Sequence, residues 1–540
     1  AIARRNLLEK DIDPALLPKN VQSSEFKDLT WVKSEDELKV RLERIRALQL
    51  DTAEKLKSET RPQFLKRLNK RRINREDELI TNSPKEKKQL VLAYVLKAVS
   101  SSLDSQTAYF TPAEANQFMI QVQQRLFGIG AQLHDDLSGF KILRILEGGP
   151  AMLSEKLKVG DRIIAVDNEP VVGMDIVEAV ELIRGQQGTT VKLTILREVG
   201  SEENKQEEKL EIEIIRAEVV LKETRLEKSY EPYGNGVIGH LHLFSFYQDP
   251  NSSSAGDLRE AILEMKKKQN LKGIVLDLRN NAGGLLPQAV SVTGLFISKG
   301  VVVSVKDNTG VVQHLRNIDG QPIWTGPLIV LTNRTSASAA EIVAQTLQDY
   351  GRAIVVGDPH TYGKGTFQTF TLESANYGKV NPKGEFKVTR GRYYTVSGKS
   401  PQLTGVQADI AIPGIFSALD IGEEFSKFPL ANDQIPATFE DDLSDIPAIH
   451  RNQIMRVYKV NMQTKLDIYQ PYLSTLRANC TERLELNTNY QTFLKEIAKQ
   501  DFSSDVVDYY SQTDLQLDET MNIMKDLILL MEIAPAAKGG

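Results

Sequence analysis

The sequence predicts a multidomain α+β protein: a helical N-terminal region, a β-rich domain, an α/β core and a helical C-terminal region. Three observations carry that expectation. Leu38, Val40, Leu42, Ile45, Leu48 and Leu50 recur at helical spacing among charged neighbours. From Phe127 to about Ala217 short apolar runs and turn residues replace that texture. Apolar strands then alternate with amphipathic helices, as in α/β cores. A chain of 540 residues is too long for one core. The expected boundaries are 1–125, 126–217, 218–430 (with part of the preceding helical region) and 431–540.

In the first region a second apolar stretch runs from Leu90 to Ala98. Ser101-Ser102-Leu103-Asp104-Ser105 breaks that helix, and Pro112 with Glu114 restarts one. In the second region Phe127-Gly128-Ile129-Gly130 leads into alternating residues, and Gly148-Gly149-Pro150-Ala151 opens a short helix. Val159 to Val166 reads as turn then strand. Asp175 caps an amphipathic helix ending at Ile183, and Val191 to Leu196 is a closing strand. This order of elements resembles a PDZ domain.

In the third region strands are expected at Gly236–Phe246, Gly273–Arg279, Leu328–Leu331 and Ala353–Val356. Helices are expected at Ser254–Lys268, Pro287–Phe296 and Ala337–Tyr350. Glu440 to Asp445 reads as an acidic linker before a helical tail.

Composition narrows the functions. Net charge is −5 with both signs interspersed, so no nucleic-acid footprint is present. Hydrophobic residues at 41% and charged residues at 26% are ordinary for a globular protein. Cys480 is the one cysteine, which excludes an intrachain disulfide framework and a multi-cysteine zinc site. No apolar run reaches the roughly 18 residues that a membrane span requires.

The chemistry concentrates in Thr335-Ser336-Ala337-Ser338-Ala339-Ala340-Glu341 and Tyr362-Gly363-Lys364-Gly365-Thr366-Phe367-Gln368. Ser338 stands where a strand gives way to a helix, and free N–H groups there favour developing negative charge. A lysine in a dry pocket loses its proton near neutrality and can take one from a serine hydroxyl. Lys364 lies between two glycines, and Gln368 shares its face in an extended segment. A helix cap at Ser338 and a surface turn at Lys364 are the competing readings of these residues alone. Gly283 and Gly284, ending Asp277-Leu278-Arg279-Asn280-Asn281-Ala282-Gly283-Gly284, suit either an oxyanion hole or a plain tight turn.

In this order, after the PDZ-like unit, these motifs and Gly405-Val406-Gln407-Ala408-Asp409-Ile410 resemble the C-terminal processing peptidases, or tail-specific proteases. The likeness covers about residues 90–415, and the helical flanks are similar to the larger tail-specific branch. It implies Ser338 as nucleophile, Lys364 as base and Gln368 as its partner, with no cofactor and no metal. Backbone N–H groups near Gly283 and Gly284, with that of Ala339, are the expected oxyanion donors. Phe127-Gly128-Ile129-Gly130 is similar to the loop that holds the free C-terminus of a peptide, and Val177, Val180 and Ile183 line an apolar pocket or the core. Two positions depart from the family pattern: Ala340 replaces a serine, and the turn Asp358 to Gly363 is one residue longer. Asp349 matches a family aspartate. Its distance of about 16 Å along the helix points to a structural role.

Other signals are weak. Gly363-Lys364 lacks the glycine and hydroxyl of a phosphate loop. Ser24-x-x-Lys27 lacks companion motifs. His240 and His242 share a strand face but have no third ligand nearby in sequence, and His360 lies in a turn. The expected protein is a serine endopeptidase that recognises exposed apolar C-termini, with an adaptor protein as a further partner. A catalytically silent PDZ scaffold and another Ser–Lys amidase or esterase are the alternatives. The family resemblance and the absent initiator methionine imply a bacterial, periplasmic setting.

Overall fold

The computed structural model describes residues 30–56, 84–123, 125–136, 139–171, 176–199, 206–220, 225–370, 381, 383–498 and 514–537, with isolated positions before residue 30 and at 73 and 76. The protein forms two compact units: Ala1–Val95 with Leu126–Val220, and Leu96–Arg125 with Leu221–Gly540. Asp175 and part of the N-terminal region lie outside the described residues.

Helices α1 (Glu35–Leu56) and α2 (Pro84–Ser101) come first, then strand β1 (Ala108–Phe110) and helix α3 (Pro112–Gln123). The sequence predicts only a helix break around β1. The structure pairs this stretch with a strand from far along the sequence, Ala108 opposite Lys387, and local pattern cannot reveal a partner at that separation.

The β-rich region contains β2 (Arg125–Gly128), β3 (Ala131–Asp136), β4 (Gly139–Ile145), α4 (Pro150–Ser154), β5 (Arg162–Val166) and β6 (Glu169–Pro170). It continues through α5 (Ile176–Ile183), β7 (Thr190–Val199), β8 (Gln206–Ile215) and β9 (Ala217–Val220). Its sheet runs β3-β4-β5-β7-β8, so β3 is a terminal strand. Phe140, Ile142, Ile163, Val191, Leu193 and Ile195 fill the core, joined by Ala179 and Ile183 from α5.

The larger unit continues with β10 (Leu226–Tyr233), β11 (Gly236–Leu243), α6 (Ser254–Lys268), β12 (Leu271–Asp277) and α7 (Leu286–Thr293). Next come β13 (Gly300–Asp307), β14 (Val312–Asn317), β15 (Leu328–Thr332), α8 (Ala339–Asp349) and β16 (Ile354–Gly357). Then follow β17 (Thr366–Phe370), β18 (Glu385–Thr395), β19 (Ile410–Ala411), α9 (Ala448–Tyr458), α10 (Leu473–Leu486), α11 (Thr488–Ala498) and α12 (Leu515–Ala537). One sheet runs β10-β11-β12-β15-β16-β19, parallel from β11 onward. Strands β15 and β16 are buried throughout, as parallel strands covered on both faces must be. Leu276, Val330 and Val355 share a core with α6, α7 and α8, while Val275, Ile329 and Ile354 share another with α10, α11 and α12. A second, antiparallel sheet runs β1-β18-β13-β14 and carries β17 on β18.

Glu440 to Asp445 is not a solvated linker. Arg316 binds both Asp441 and Asp445 through paired hydrogen bonds of 2.5–3.0 Å. An acidic run is therefore partly a buried counter-charge, which its sequence does not disclose.

Candidate active site

Ser338 sits in the turn between β15 and α8 with φ 57° and ψ −114°. A positive φ on a residue with a side chain is strained and persists only where surroundings over-determine it. Those surroundings are visible. The Ser338 N–H donates to Glu341 Oε2 at 2.8 Å, and the Ala337 N–H to Asn281 O at 2.9 Å. Ser336 is buried, its Oγ donating to Leu278 O at 2.8 Å. Thr335 Oγ1 donates to Asn280 and Asn333. Ser338 is only half-buried, and its Oγ donates to no acceptor among the described residues.

Lys364 lies in the turn before β17. Gly363 adopts φ 92° and packs against the backbone of Leu403 and Gly405, so both flexibility and lack of a side chain are used. Lys364 Nζ donates to Thr366 O at 2.9 Å. Its pKa is lowered to about 8, first by burial and second by the Lys387 ammonium, against Glu423, Glu341 and Asp104. At pH 7 about a tenth of such amines are neutral, against well under a thousandth at the ordinary value.

Glu341 joins the two segments. Oε2 accepts from Ser338 N at 2.8 Å and Lys364 N at 2.9 Å. Oε1 accepts from Gly363 N and Thr361 Oγ1, each at 2.6 Å. Burial pushes this carboxyl up to about 7 although all four donors favour its charged form. Tyr393 adds a second tie, its hydroxyl meeting the carbonyls of both Ser338 and Lys364. Sequence reasoning missed both residues. The Ser-x-x-Glu spacing of a helix start marks Glu341; nothing local marks Tyr393.

The structure brings Ser338, Lys364 and the Gly283–Gly284 turn together by backbone contacts. It forms no hydrogen bond between Lys364 Nζ and Ser338 Oγ. Gln368 also does not bond Lys364: Nε2 donates to Thr366 Oγ1 at 2.9 Å and Thr389 Oγ1 at 3.3 Å. The link to Lys364 therefore runs through Thr366. Gly283 is not an available oxyanion donor, because its N–H donates to Asn281 Oδ1 at 2.9 Å. The N–H groups of Gly284 and Ala339 have no acceptor among the described residues. Gly283 contributes space: a Cβ there would lie 2.8 Å from Ser338 Cβ and 3.1 Å from Ala339 N.

Asp349 braces the far end of α8, accepting from Gln345 Nε2 at 3.0 Å and Thr395 Oγ1 at 2.5 Å. His240 bonds Asp277 and Ser229, and His242 bonds Arg279 O. His360 contacts Arg334 and Thr361 O, not Ser338. Among the described residues no three potential ligands cluster around a metal site, and no helix is long and apolar enough to cross a membrane.

In the β-rich unit, Phe127 and Gly128 end β2, while Ile129 and Gly130 form the loop into β3. Ile129 O accepts from Ala151 N and Gly130 O from Leu146 N, fixing that loop on the core. On α5, Val177 is 63% exposed, Val180 is half-buried, and Ile183 belongs to the core.

The model of peptidase family S41 matches residues 237–412, and that of the PDZ domain residues 141–197. The tail-specific protease of Haemophilus influenzae is 33% identical over 362 residues, 66% of this chain and 50% of that protein. The carboxy-terminal-processing protease of Bartonella bacilliformis is 33% identical over 328 residues, 60% of this chain and 70% of that protein. The chain belongs to the carboxy-terminal processing proteases of family S41. It spans about half the length of the Haemophilus relative. Ser338, Glu341 and Lys364 all fall inside the S41 match, and α5 inside the PDZ match.

Proposed function

We propose that this protein is a serine endopeptidase that captures exposed apolar C-termini through its PDZ domain and cleaves the captured protein at Ser338. The observation that carries this reading is the convergence of Ser338 N and Lys364 N on one Glu341 oxygen, beside a buried lysine whose pKa is lowered to about 8. Ser338 Oγ attacks the scissile carbonyl as neutral Lys364 takes its proton. The tetrahedral oxyanion accepts from the N–H groups of Ala339 and Gly284. Its collapse breaks the C–N bond, and the Lys364 ammonium returns a proton to the leaving amine. Water, deprotonated by Lys364, then attacks the acyl carbonyl; the ester C–O bond breaks and the Lys364 ammonium returns the proton to Ser338 Oγ. The open Ser338–Lys364 pair corresponds to a resting form that closes when substrate fills the site, since catalytic hydrogen bonds tighten in the bound state.

The edge of β3 offers backbone groups for an added strand, and Val177 and Val180 offer apolar surface to its side chains. A bacterial, periplasmic location belongs to the same reading, and cell fractionation tests it. The decisive experiment incubates the protein with a weakly folded substrate bearing or lacking an apolar tail, with products identified by mass spectrometry. Tail-dependent cleavage lost in Ser338→Ala and Lys364→Ala is expected. Undiminished cleavage by both variants removes the dyad from the mechanism.

A further inference from the structure

We infer that Asp104 and Thr389 are positioning residues for the base, fixing through Gln368 which atoms face Lys364. The inference rests on the reading of Lys364 as general base. Asp104 lies in the turn after α2, and all the residues involved belong to one compact unit.

The direction of each hydrogen bond decides the arrangement. Asp104 Oδ1 accepts from Gln106 N at 2.8 Å, Thr107 N at 2.9 Å and Thr389 Oγ1 at 2.8 Å. Its Oδ2 accepts from Thr107 Oγ1. Burial raises the Asp104 carboxyl, but the bonds from Thr107, Gln106 and Thr389 outweigh it and hold the group below its ordinary range. An ionised carboxylate only accepts. The Thr389 hydroxyl proton must therefore point at Asp104, leaving that oxygen only lone pairs for Gln368. Gln368 answers with its amide nitrogen, which is shared between Thr389 Oγ1 at 3.3 Å and Thr366 Oγ1 at 2.9 Å. Both N–H groups of the amide are then consumed, and Oε1 is left as an acceptor.

A neutral lysine has two N–H donors and one lone pair. One donor of Lys364 already meets Thr366 O. When the site closes, Gln368 Oε1 takes the other, and the lone pair is left for the Ser338 hydroxyl. Register supports the relay: Gln368 and Thr389 are directly paired between β17 and β18, and Thr389 N donates to Thr107 Oγ1 at 3.1 Å. The turn at Asp104 and the strand of Gln368 are thus clamped at one point.

Thr389→Val removes the relay hydroxyl, keeps the branched shape and leaves the backbone bonds of Asp104 intact. It is expected to lower kcat about tenfold on a tailed protein substrate with KM unchanged, and to lower the thermal midpoint through the lost bond to a buried carboxylate; Thr389→Ser restores both. Asp104→Ala, compared on the plateau above about pH 9 because the Asp104 charge also raises the Lys364 pKa, is expected to show the same loss. Because the two residues act in series, the double variant loses no more than either single one. Full kcat in Thr389→Val, or losses that multiply in the double variant, overturns the relay. Should Asp104→Ala not fold, the Thr389→Val and Thr389→Ser pair decides alone. Lys364→Ala is run alongside: undiminished cleavage there refutes the base itself, whereas an inactive Lys364→Ala beside a fully active Thr389→Val refutes only the relay.

Discussion

Ser338 and Lys364 hang by their backbone N–H groups from a single oxygen, Glu341 Oε2, at 2.8 and 2.9 Å. One buried carboxylate therefore ties their main chains from the N–H side, as the Tyr393 hydroxyl does from the carbonyl side. Replacing Glu341 by Gln turns one acceptor atom into a donor that faces N–H groups. Unpaired buried donors of this kind cost about 1–3 kcal/mol. Glu341→Gln is expected to lose about that much stability in urea denaturation. It should also lose kcat/KM about a hundredfold through misplacement of the reacting groups. A variant equal to the parent in both measurements would show that the carboxylate organises nothing.

The Lys364 pKa of about 8 sets a pH dependence with a definite sign. In the proposed mechanism the neutral amine is the base, so kcat/KM is expected to be low below pH 8 and to rise to a plateau above it. Removing the Lys387 cation by Lys387→Met relieves one of the two influences holding the value down, so the midpoint moves upward. Folding stability carries the same signature. The folded-state pKa lies below the ordinary 10.5, so protonated Lys364 weakens the fold, and this penalty fades as pH rises from about 8 to 10.5. Lys364→Met should therefore be more stable than the parent at pH 7, with the gap closing across that window. Rate profiles and denaturation at several pH values check both; a flat rate from pH 6 to 9 contradicts the assignment.

Much of this site is legible in the sequence because its parts are local. Strand, turn and helix around Ser338 follow from Leu328–Leu331 and the small residues after them, and α6 spans Ser254–Lys268 as its pattern predicts. What stayed hidden is non-local. Glu341 is visible as a helix-start residue, but its bonds to Thr361, Gly363 and Lys364 depend on a turn brought back by the fold. Thr389 and Asp104 reach the site through pairing of β18 with β17 and β1, and Tyr393 through pairing of β18 with β13 and its N–H bond to Gly365 O. The Gly283-Gly284 pair shows the limit most plainly. Two adjacent glycines look alike in sequence, yet the Asn281 side chain engages the N–H of Gly283 and leaves that of Gly284.

Gly283 supplies the next test. It adopts φ 103°, and a Cβ there would meet Ser338 Cβ at 2.8 Å and Ala337 O at 3.0 Å. Gly283→Ala is strained in its backbone and also crowds Ser338. A loss of about 1–3 kcal/mol in stability is expected from the backbone conformation, together with near-complete loss of cleavage. Circular dichroism separates the two effects. A folded, fully active Gly283→Ala would mean that the turn moves aside and does not border the reacting carbonyl.

A substitution on the proposed PDZ surface tests whether capture is separate from cleavage. Val177 is 63% exposed on α5, so a charge placed there disturbs little of the fold, while a buried apolar peptide end would lose its contact. Each apolar side chain removed from water contributes about 1.5–3 kcal/mol, and a charge at the pocket wall opposes that transfer. Val177→Asp is therefore expected to weaken binding of a peptide with an apolar C-terminus about tenfold or more by calorimetry. It should raise KM for a tailed protein by a similar factor while kcat at saturation stays unchanged. A simultaneous collapse of kcat would assign this helix a part beyond delivery, because a delivery surface alone cannot alter the rate once substrate is bound. Unchanged affinity would move the tail-binding surface away from α5 altogether.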